Sequence, residues 1–344
     1  MSKIVIDSSI PFTEGVFEPY CEVVYRDGPS ISAEDVRDAT ALIVRTRTKC
    51  NAELLEGSSV KVIATSTVGV DNIDVQYCKE HGIFFKNASG CNAGGVMNYV
   101  FSALYGIAAR KSIQLSGQTI GIIGLGNVGS RIEETGRIPG FKTLRYDPPK
   151  SEEEWYTSFC SLDQLLENSD VITLHVPLNE STRGMANAEF FQKMKPGAFF
   201  INTSHGELVV EKDLMEAMPR LGPVVIDAWA GEPEINRELM DVVDIATPHI
   251  AGYSLQGKQL GTMMAVRTIA RFLGIKELYG FFPASEIAEY QAVKIDVHDK
   301  HQGQIASIIQ YNYPIFTDDF IFRMSPEDFT ELRNSYQYRR EFYF

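Results

Sequence analysis

The stretch from Thr119 to Ser130 constrains this chain more than any other. It opens as a short apolar run, Ile120 to Ile123, of the kind that suits a parallel strand covered on both faces. It continues as Gly124-x-Gly126-x-x-Gly129, with Asn127 and Val128 before the last glycine. The first glycine permits a tight turn, the second lets a diphosphate approach the backbone, and the third lets the next helix pack close to the strand. A helix-compatible segment, Ser130 to Glu134, follows, and its amino end offers unpaired N–H groups to an anion. Asp147 closes a second apolar run, Thr143 to Tyr146, 18 residues past the last glycine. An acid there can accept hydrogen bonds from both ribose hydroxyls and repels a 2′-phosphate. The combination predicts a dinucleotide site that favours NAD over NADP.

The rest of the chain repeats the same rhythm. Lys3 to Asp7, Cys21 to Tyr25, Ala41 to Val44, Val62 to Ala64 and Ile83 to Phe85 read as strands, with a helix cap at Ser32 to Asp35 between them. Met1 to Asp7 reads as a first strand, too short an apolar segment for a signal peptide. Such βαβ alternation predicts a parallel sheet whose ligand lies off the carboxyl ends of the strands. Two loops stand there: Arg45 to Lys49, with three cations, and Ser66 to Asp71, with a glycine and hydroxyls. The first suits an anion and the second could surround a carboxylate with N–H donors. Residues 86–95 read as a glycine-marked flexible crossing into a helix from about Val96 to Lys111.

A second run of strands follows the glycine motif: Val171 to Val176, Ala198 to Ile201, Val224 to Ile226 and Ile245-Ala246. A helix from about Ser254 to Phe272 ends at Gly274, and residues 275–344 turn aromatic and charged. The expectation is an α/β chain: two doubly wound parallel-sheet, Rossmann-like domains plus a small C-terminal α+β domain. The divisions are 1–95, completed by the helix at about 254–274, then 96–253 and 275–344. A last domain of that size rarely stands alone, so it is expected to pack on the main body or on a second subunit.

With 344 residues and a formal net charge of −13, the chain is a poor candidate for nucleic acid or anionic membrane. No apolar run approaches the length of a membrane span. The five cysteines are scattered, with no CxxC pair, and read as free thiols in a reducing, cytoplasmic compartment with no metal site. Cys91 has no base nearby in sequence and reads as a packed thiol.

Oxidation by NAD needs a base for the alcohol proton, donors for the substrate oxygens and a fixed nicotinamide. His249 follows a strand end and a proline, and imidazole can take and return a proton near neutral pH. Glu232 could orient it, and Asp227 could hold the nicotinamide amide.

These features together resemble the D-isomer-specific 2-hydroxyacid dehydrogenases: the glycine motif, Asp147, Asp227-Ala-Trp-Ala-Gly-Glu232-Pro and Thr-Pro-His249-Ile-Ala-Gly252. The likeness covers about residues 1–275. Val44 to Lys49, Gly90 to Ala93, Tyr146-Asp-Pro-Pro149, His249 to Lys258 and the closing Arg333 to Glu341 resemble the branch of that family acting on 4-phospho-D-erythronate. The resemblance implies oxidation at C2 to 3-hydroxy-2-oxo-4-phosphobutanoate, in pyridoxal phosphate biosynthesis, by a homodimer joined through its C-terminal domain. It implies His249 as proton donor and acceptor with Glu232 as partner. Thr46, Thr67 and Tyr253 would contact substrate, with Arg45, Arg47 and Lys258 as candidate cations. Asp147, Val176, Thr203, Ser204, His205, Asp227 and Gly252 would line the NAD site. Two positions depart from the family: His205 stands where an arginine would clamp the substrate carboxylate, and Asn98 where an acid is common. Two alternatives stay open on the sequence. One is another D-2-hydroxyacid dehydrogenase, such as one acting on 3-phosphoglycerate; the other is a weakly catalytic NAD-binding sensor.

Overall fold

The computed structural model describes residues 2–152, 159–283 and 291–344. The chain forms two compact units, Met1–Asn92 with Ser254–Gln291, and Ala93–Tyr253 with Ala292–Phe344.

The first unit holds five parallel strands, β1 (Lys3–Asp7), β2 (Glu22–Arg26), β3 (Ala41–Val44), β4 (Val62–Thr65) and β5 (Phe84–Lys86), in the order β2-β1-β3-β4-β5. Alternate residues point to opposite faces, so each central strand feeds two cores. Ile4, Ile6, Ile43 and Ala64 pack against Ala265, Val266, Ile269 and Ala270 of the helix Leu255–Leu273. Val5, Leu42, Val44 and Ile63 pack on the other face with Leu54, Ile73 and Cys78. The helix Leu255–Leu273 is capped by the Ser254 hydroxyl, which accepts from Gly257 N, and stopped by Gly274 at φ 74°. A Cβ at Gly261 would meet the Ser66 carbonyl at 2.3 Å, so only glycine lets this helix close on the Ser66–Val70 loop.

The second unit holds β6 (Thr119–Ile123), β7 (Lys142–Tyr146), β8 (Val171–Leu174), β9 (Phe199–Asn202), β10 (Val224–Ile226) and β11 (Ile245–Ala246), in the order β11-β10-β9-β8-β6-β7. Every pair is parallel. The order reverses beside β6, which sets a crevice at the carboxyl end of β6 and β8, just where the glycine motif leaves β6.

The helix Ala93–Lys111 begins earlier than the sequence suggests. Gly94 and Gly95, expected in a flexible crossing, instead form its first turn, with distant parts of the chain packed close over them. A Cβ at Gly94 would lie 2.0 Å from the Glu341 carboxylate, and one at Gly95 3.2 Å from the Ala251 carbonyl. The C-terminal stretch forms helices Gln302–Asn312, Ile315–Met324 and Phe329–Asn334 and a two-stranded parallel sheet, β12 (Val293–Lys294) with β13 (Phe342–Tyr343). Its Phe322 and Phe329 are buried in one core with Trp229. Among the described residues no helix is long and apolar enough to cross a membrane. All five cysteines are free thiols, and Cys91 is buried.

Candidate active site

The three glycines of the motif are each fixed by a different steric fact. Gly124 adopts φ 91°, and a Cβ there would meet the His175 carbonyl at 2.5 Å. Gly129 lies in the helix Asn127–Arg137, where a Cβ would sit 2.0 Å from the Gly124 carbonyl. Gly126 precedes that helix and has open space where its Cβ would be. The turn is therefore tight at both ends and bare in the middle, which is what an approaching diphosphate requires. Asp147 faces the same loop: its Oδ2 accepts from Leu125 N at 2.8 Å and its Oδ1 from Lys150 N at 3.2 Å.

Further along the carboxyl edge of the sheet, the Thr203 hydroxyl is buried with no hydrogen-bond partner. Buried polar groups are rarely left so, and an orphan here suits a ligand. Ser204 Oγ donates to the Val176 carbonyl at 2.7 Å, tying the loop after β9 to the loop after β8. His205 leads into the short turn Gly206–Leu208, which packs against Trp229 and Ala230 so tightly that Gly206 admits no Cβ.

Sequence positions 232 and 249 converge. His249 Nδ1 lies 2.9 Å from Glu232 Oε2 and 3.0 Å from Oε1. A carboxylate only accepts, so Nδ1 carries the hydrogen, and in the neutral ring Nε2 keeps the lone pair. Burial pushes the Glu232 carboxyl up, but the His249 ring, the Trp229 amide and the Arg333 guanidinium outweigh it and hold it below its ordinary range. It is therefore an anion at neutral pH, fit to orient an imidazole and to stabilise its charged form. His249 itself sits at φ 55°, a left-handed conformation costly for a residue with a Cβ.

What holds that conformation is Asp227, fully buried at the end of β10. Its Oδ1 accepts from Thr247 Oγ1 at 2.6 Å and Ile250 N at 2.8 Å, and its Oδ2 from Ala251 N at 2.9 Å. Sequence reasoning gave Asp227 a part beside the nicotinamide and missed this buttress of the histidine loop. In the sequence Arg333 stands out only as part of the closing motif, its arginines suited to a phosphate; in the structure its Nη1 stands 4.0 Å from Glu232 Oε2. Burial pushes the Asp227 carboxyl up, against the lowering influence of His249 and its donors.

Asn98 is buried and explains its own departure from an acid: Nδ2 donates to the Phe342 carbonyl at 2.7 Å, and Oδ1 accepts from Phe342 N at 2.8 Å. An acid could make only the second bond. Tyr253 stacks edge-on against Tyr336 and Tyr338.

In the first unit, Arg45 Nη1 donates to Ser9 Oγ at 3.2 Å, and Arg47 pairs with Asp27 at 3.1 Å. Thr46 is exposed and lies beside Gly69, and the Thr67 hydroxyl is buried without a partner. These loops share the carboxyl edge of β1, β3 and β4. Among the described residues no group of three or more His, Cys, Asp or Glu side chains could hold a metal ion.

A family model described as D-isomer specific 2-hydroxyacid dehydrogenase, NAD binding domain, matches residues 104–251. An erythronate-4-phosphate dehydrogenase of Bacteroides thetaiotaomicron is 41% identical, over 98% of this chain and 97% of that one. Another from Bacteroides fragilis is 38% identical over the same shares. The NAD+-bound 3-phosphoglycerate dehydrogenase of Entamoeba histolytica aligns with a TM-score of 0.65 at 27% identity, covering 80% of this chain and 96% of that chain. A glycine turn of this shape, a histidine leaning on a carboxylate and relatives this similar from end to end lead to one conclusion: the chain belongs to the D-isomer-specific 2-hydroxyacid dehydrogenase family, alongside the erythronate-4-phosphate dehydrogenases.

Proposed function

We propose that this chain oxidises 4-phospho-D-erythronate at C2 with NAD, giving 3-hydroxy-2-oxo-4-phosphobutanoate, the step that erythronate-4-phosphate dehydrogenases serve in pyridoxal phosphate biosynthesis. The observation that carries the reading is the His249–Glu232 pair, on the same sheet edge as a glycine turn with open space at Gly126. The relatives at 38–41% identity favour this substrate over 3-phosphoglycerate, whose dehydrogenase resembles the chain at 27%.

The residues present fit NAD. The turn from Gly124 to Gly129 would take the diphosphate, Asp147 the ribose hydroxyls, and Val176, Thr203, Ser204, His205, Asp227 and Gly252 would line the remainder. When bound, NAD supplies the hydride acceptor. His249 Nε2 takes the proton of the C2 hydroxyl, and Glu232 stabilises the imidazolium that results. Thr46, Thr67, Tyr253 and Arg45 would bind the substrate, the orphan Thr67 hydroxyl gaining a partner by doing so.

We assign the substrate role to residues 1–95 with the helix near 254–274, the NAD role to 96–253, and assembly to 275–344. Tyr311, Phe320, Ile321 and Met324 are 88%, 62%, 46% and 66% exposed on the C-terminal helices. Exposed apolar side chains of that size on neighbouring helices of the sequence support a homodimer, which would cover them. The five free thiols support a reducing, cytoplasmic setting.

A panel of phosphorylated and plain D-2-hydroxy acids, assayed with NAD and NADP by NADH or NADPH absorbance, tests the reading. Fastest turnover of 4-phosphoerythronate with NAD is expected. Preference for another acid, or NAD binding without any turnover, would overturn it.

A further inference from the structure

The C-terminal segment reaches the dyad with the side chain of Arg333. Arg333, in the helix Phe329–Asn334, brings Nη1 to 4.0 Å from Glu232 Oε2, and its guanidinium lies 5.8 Å from the centre of the Tyr253 ring. Its Nε is buried without a hydrogen-bond partner. The titratable and charged groups around the pair can be named. Asp227, from the end of β10, is committed to Thr247 and to two amides of the histidine loop. Glu211 accepts from Ala230 N at 3.2 Å, behind the turn that carries Glu232. Tyr253 closes the loop on the other side, and the His205 backbone stands beside Trp229 and Ala230 through Gly206. Of these groups Arg333 alone bears a permanent positive charge.

The segment that carries it is fastened to the same loop. Asp319 accepts from Ala246 N of β11 at 2.7 Å, and Arg323 Nη2 donates to the Val243 carbonyl at 2.8 Å. Tyr336 donates to Asp318 at 3.0 Å and accepts from Arg339 Nε at 2.9 Å, and the Tyr336 ring meets Tyr253 edge-on. The segment thus braces the strand leading to His249 and delivers a cation to that residue's partner.

We propose that Arg333 is a positioning residue of the His249–Glu232 dyad: it fixes the Glu232 carboxylate in place and shares its negative charge, which makes the C-terminal segment part of the catalytic apparatus. The inference rests on the assignment of that dyad above. A carboxylate facing the imidazole alone would favour its protonated form, and a protonated ring cannot accept the alcohol proton. A guanidinium on the far side of the same carboxylate weakens that pull.

The test uses the full-length chain as wild type, Arg333→Met, Arg333→Gln and Arg333→Lys, each checked for folding by its melting temperature. In the two neutral variants the acid-side fall of kcat/KM should move up by about half a pH unit. Their kcat should drop about 10-fold, with KM within about 2-fold, as expected when a catalytic group loses its alignment. Arg333→Lys should restore the pH position. The ring resonance of His249, assigned by its loss in His249→Asn, should titrate at higher pH in the neutral variants. That reading needs no turnover, so it still judges Arg333 if the proposed substrate proves wrong. An unmoved pH profile and ring titration in a folded neutral variant would overturn the role, and so would a loss confined to KM, which would make Arg333 a substrate contact.

Discussion

Nδ1 of His249 lies 2.9 Å from Oε2 of Glu232, across 17 residues of sequence. The carboxylate decides which ring nitrogen is free. His249→Asn should therefore lower kcat by about 10²–10⁴-fold, the usual worth of a placed general base. Glu232→Gln keeps the shape but presents an amide that can face Nδ1 with either end, and should cost at least about 10-fold. NAD binding, followed by tryptophan fluorescence, should change little in either. A Glu232→Gln enzyme with full kcat would mean that the ring is oriented by something else.

The same carboxylate should be visible in stability. Its folded-state pKa lies below the ordinary 4.5, so the folded protein binds this proton more weakly than the unfolded chain does. The resulting stabilisation is present above the unfolded value and is lost as pH falls through the lowered folded value. Urea midpoints of wild type and Glu232→Gln should then differ more at pH 6 than near pH 3.5. Equal differences at both would show that Glu232 gains nothing from its partners.

The glycine turn separates stability from ligand binding. Gly129→Ala would put a methyl 2.0 Å from the Gly124 carbonyl, so the strand and helix must part and the melting temperature should fall by several degrees. Gly126→Ala meets open space at φ −76°, so the fold should be untouched. Its methyl would stand where the diphosphate approaches, and NAD affinity should drop by about 10-fold or more. Thermal melts and NAD titrations on the two variants make the comparison. Unchanged NAD affinity in Gly126→Ala would place the diphosphate elsewhere.

The strands were legible because their physics is local. Ala41 to Val44 and Val224 to Ile226 are short apolar runs that only a doubly covered strand uses, and they form as expected. The glycine motif was legible because its spacing between a strand and a helix is itself local, even though the clash that fixes Gly124 comes from His175. The pairing of His249 with Glu232 came from a joint pattern, since neither residue alone marks a site. Gly94 and Gly95 misled because their reason lies far away, at Glu341 and Ala251. Asn98 with Phe342, and Arg333 with Glu232, are likewise contacts between distant parts of the sequence. No periodicity in either segment could announce them.

Asn98 makes a test of such a contact. It both donates to and accepts from the backbone of Phe342, which no carboxylate can do. Asn98→Asp would leave the Phe342 carbonyl without its donor and add a charge one helical turn from the Glu341 carboxylate over Gly94. The cost should be about 1–3 kcal/mol, the penalty for a buried unsatisfied group. Denaturant unfolding at neutral pH would measure it. If Asn98→Asp were as stable as wild type, β13 would not depend on this side chain.

His205 carries the remaining prediction. The resemblance noted in the sequence implies an arginine at this point of the loop, and a planar guanidinium can grip a carboxylate with two parallel hydrogen bonds while imidazole offers at most one donor per nitrogen. The backbone here is set by Gly206 against Trp229 and Ala230 and by Asn202 Nδ2, which donates to the His205 carbonyl at 2.9 Å. His205→Arg should therefore raise kcat/KM for 4-phosphoerythronate by about 10-fold, part of what one well-placed donor contributes to a transition state. Because the substrate carboxylate is present in every D-2-hydroxy acid, the gain should appear across a panel of such acids, with or without a phosphate. A fall would mean that the ring at 205 has a task of its own that arginine cannot perform. A gain confined to phosphorylated substrates would move the new cation from the carboxylate to the phosphate end of the site.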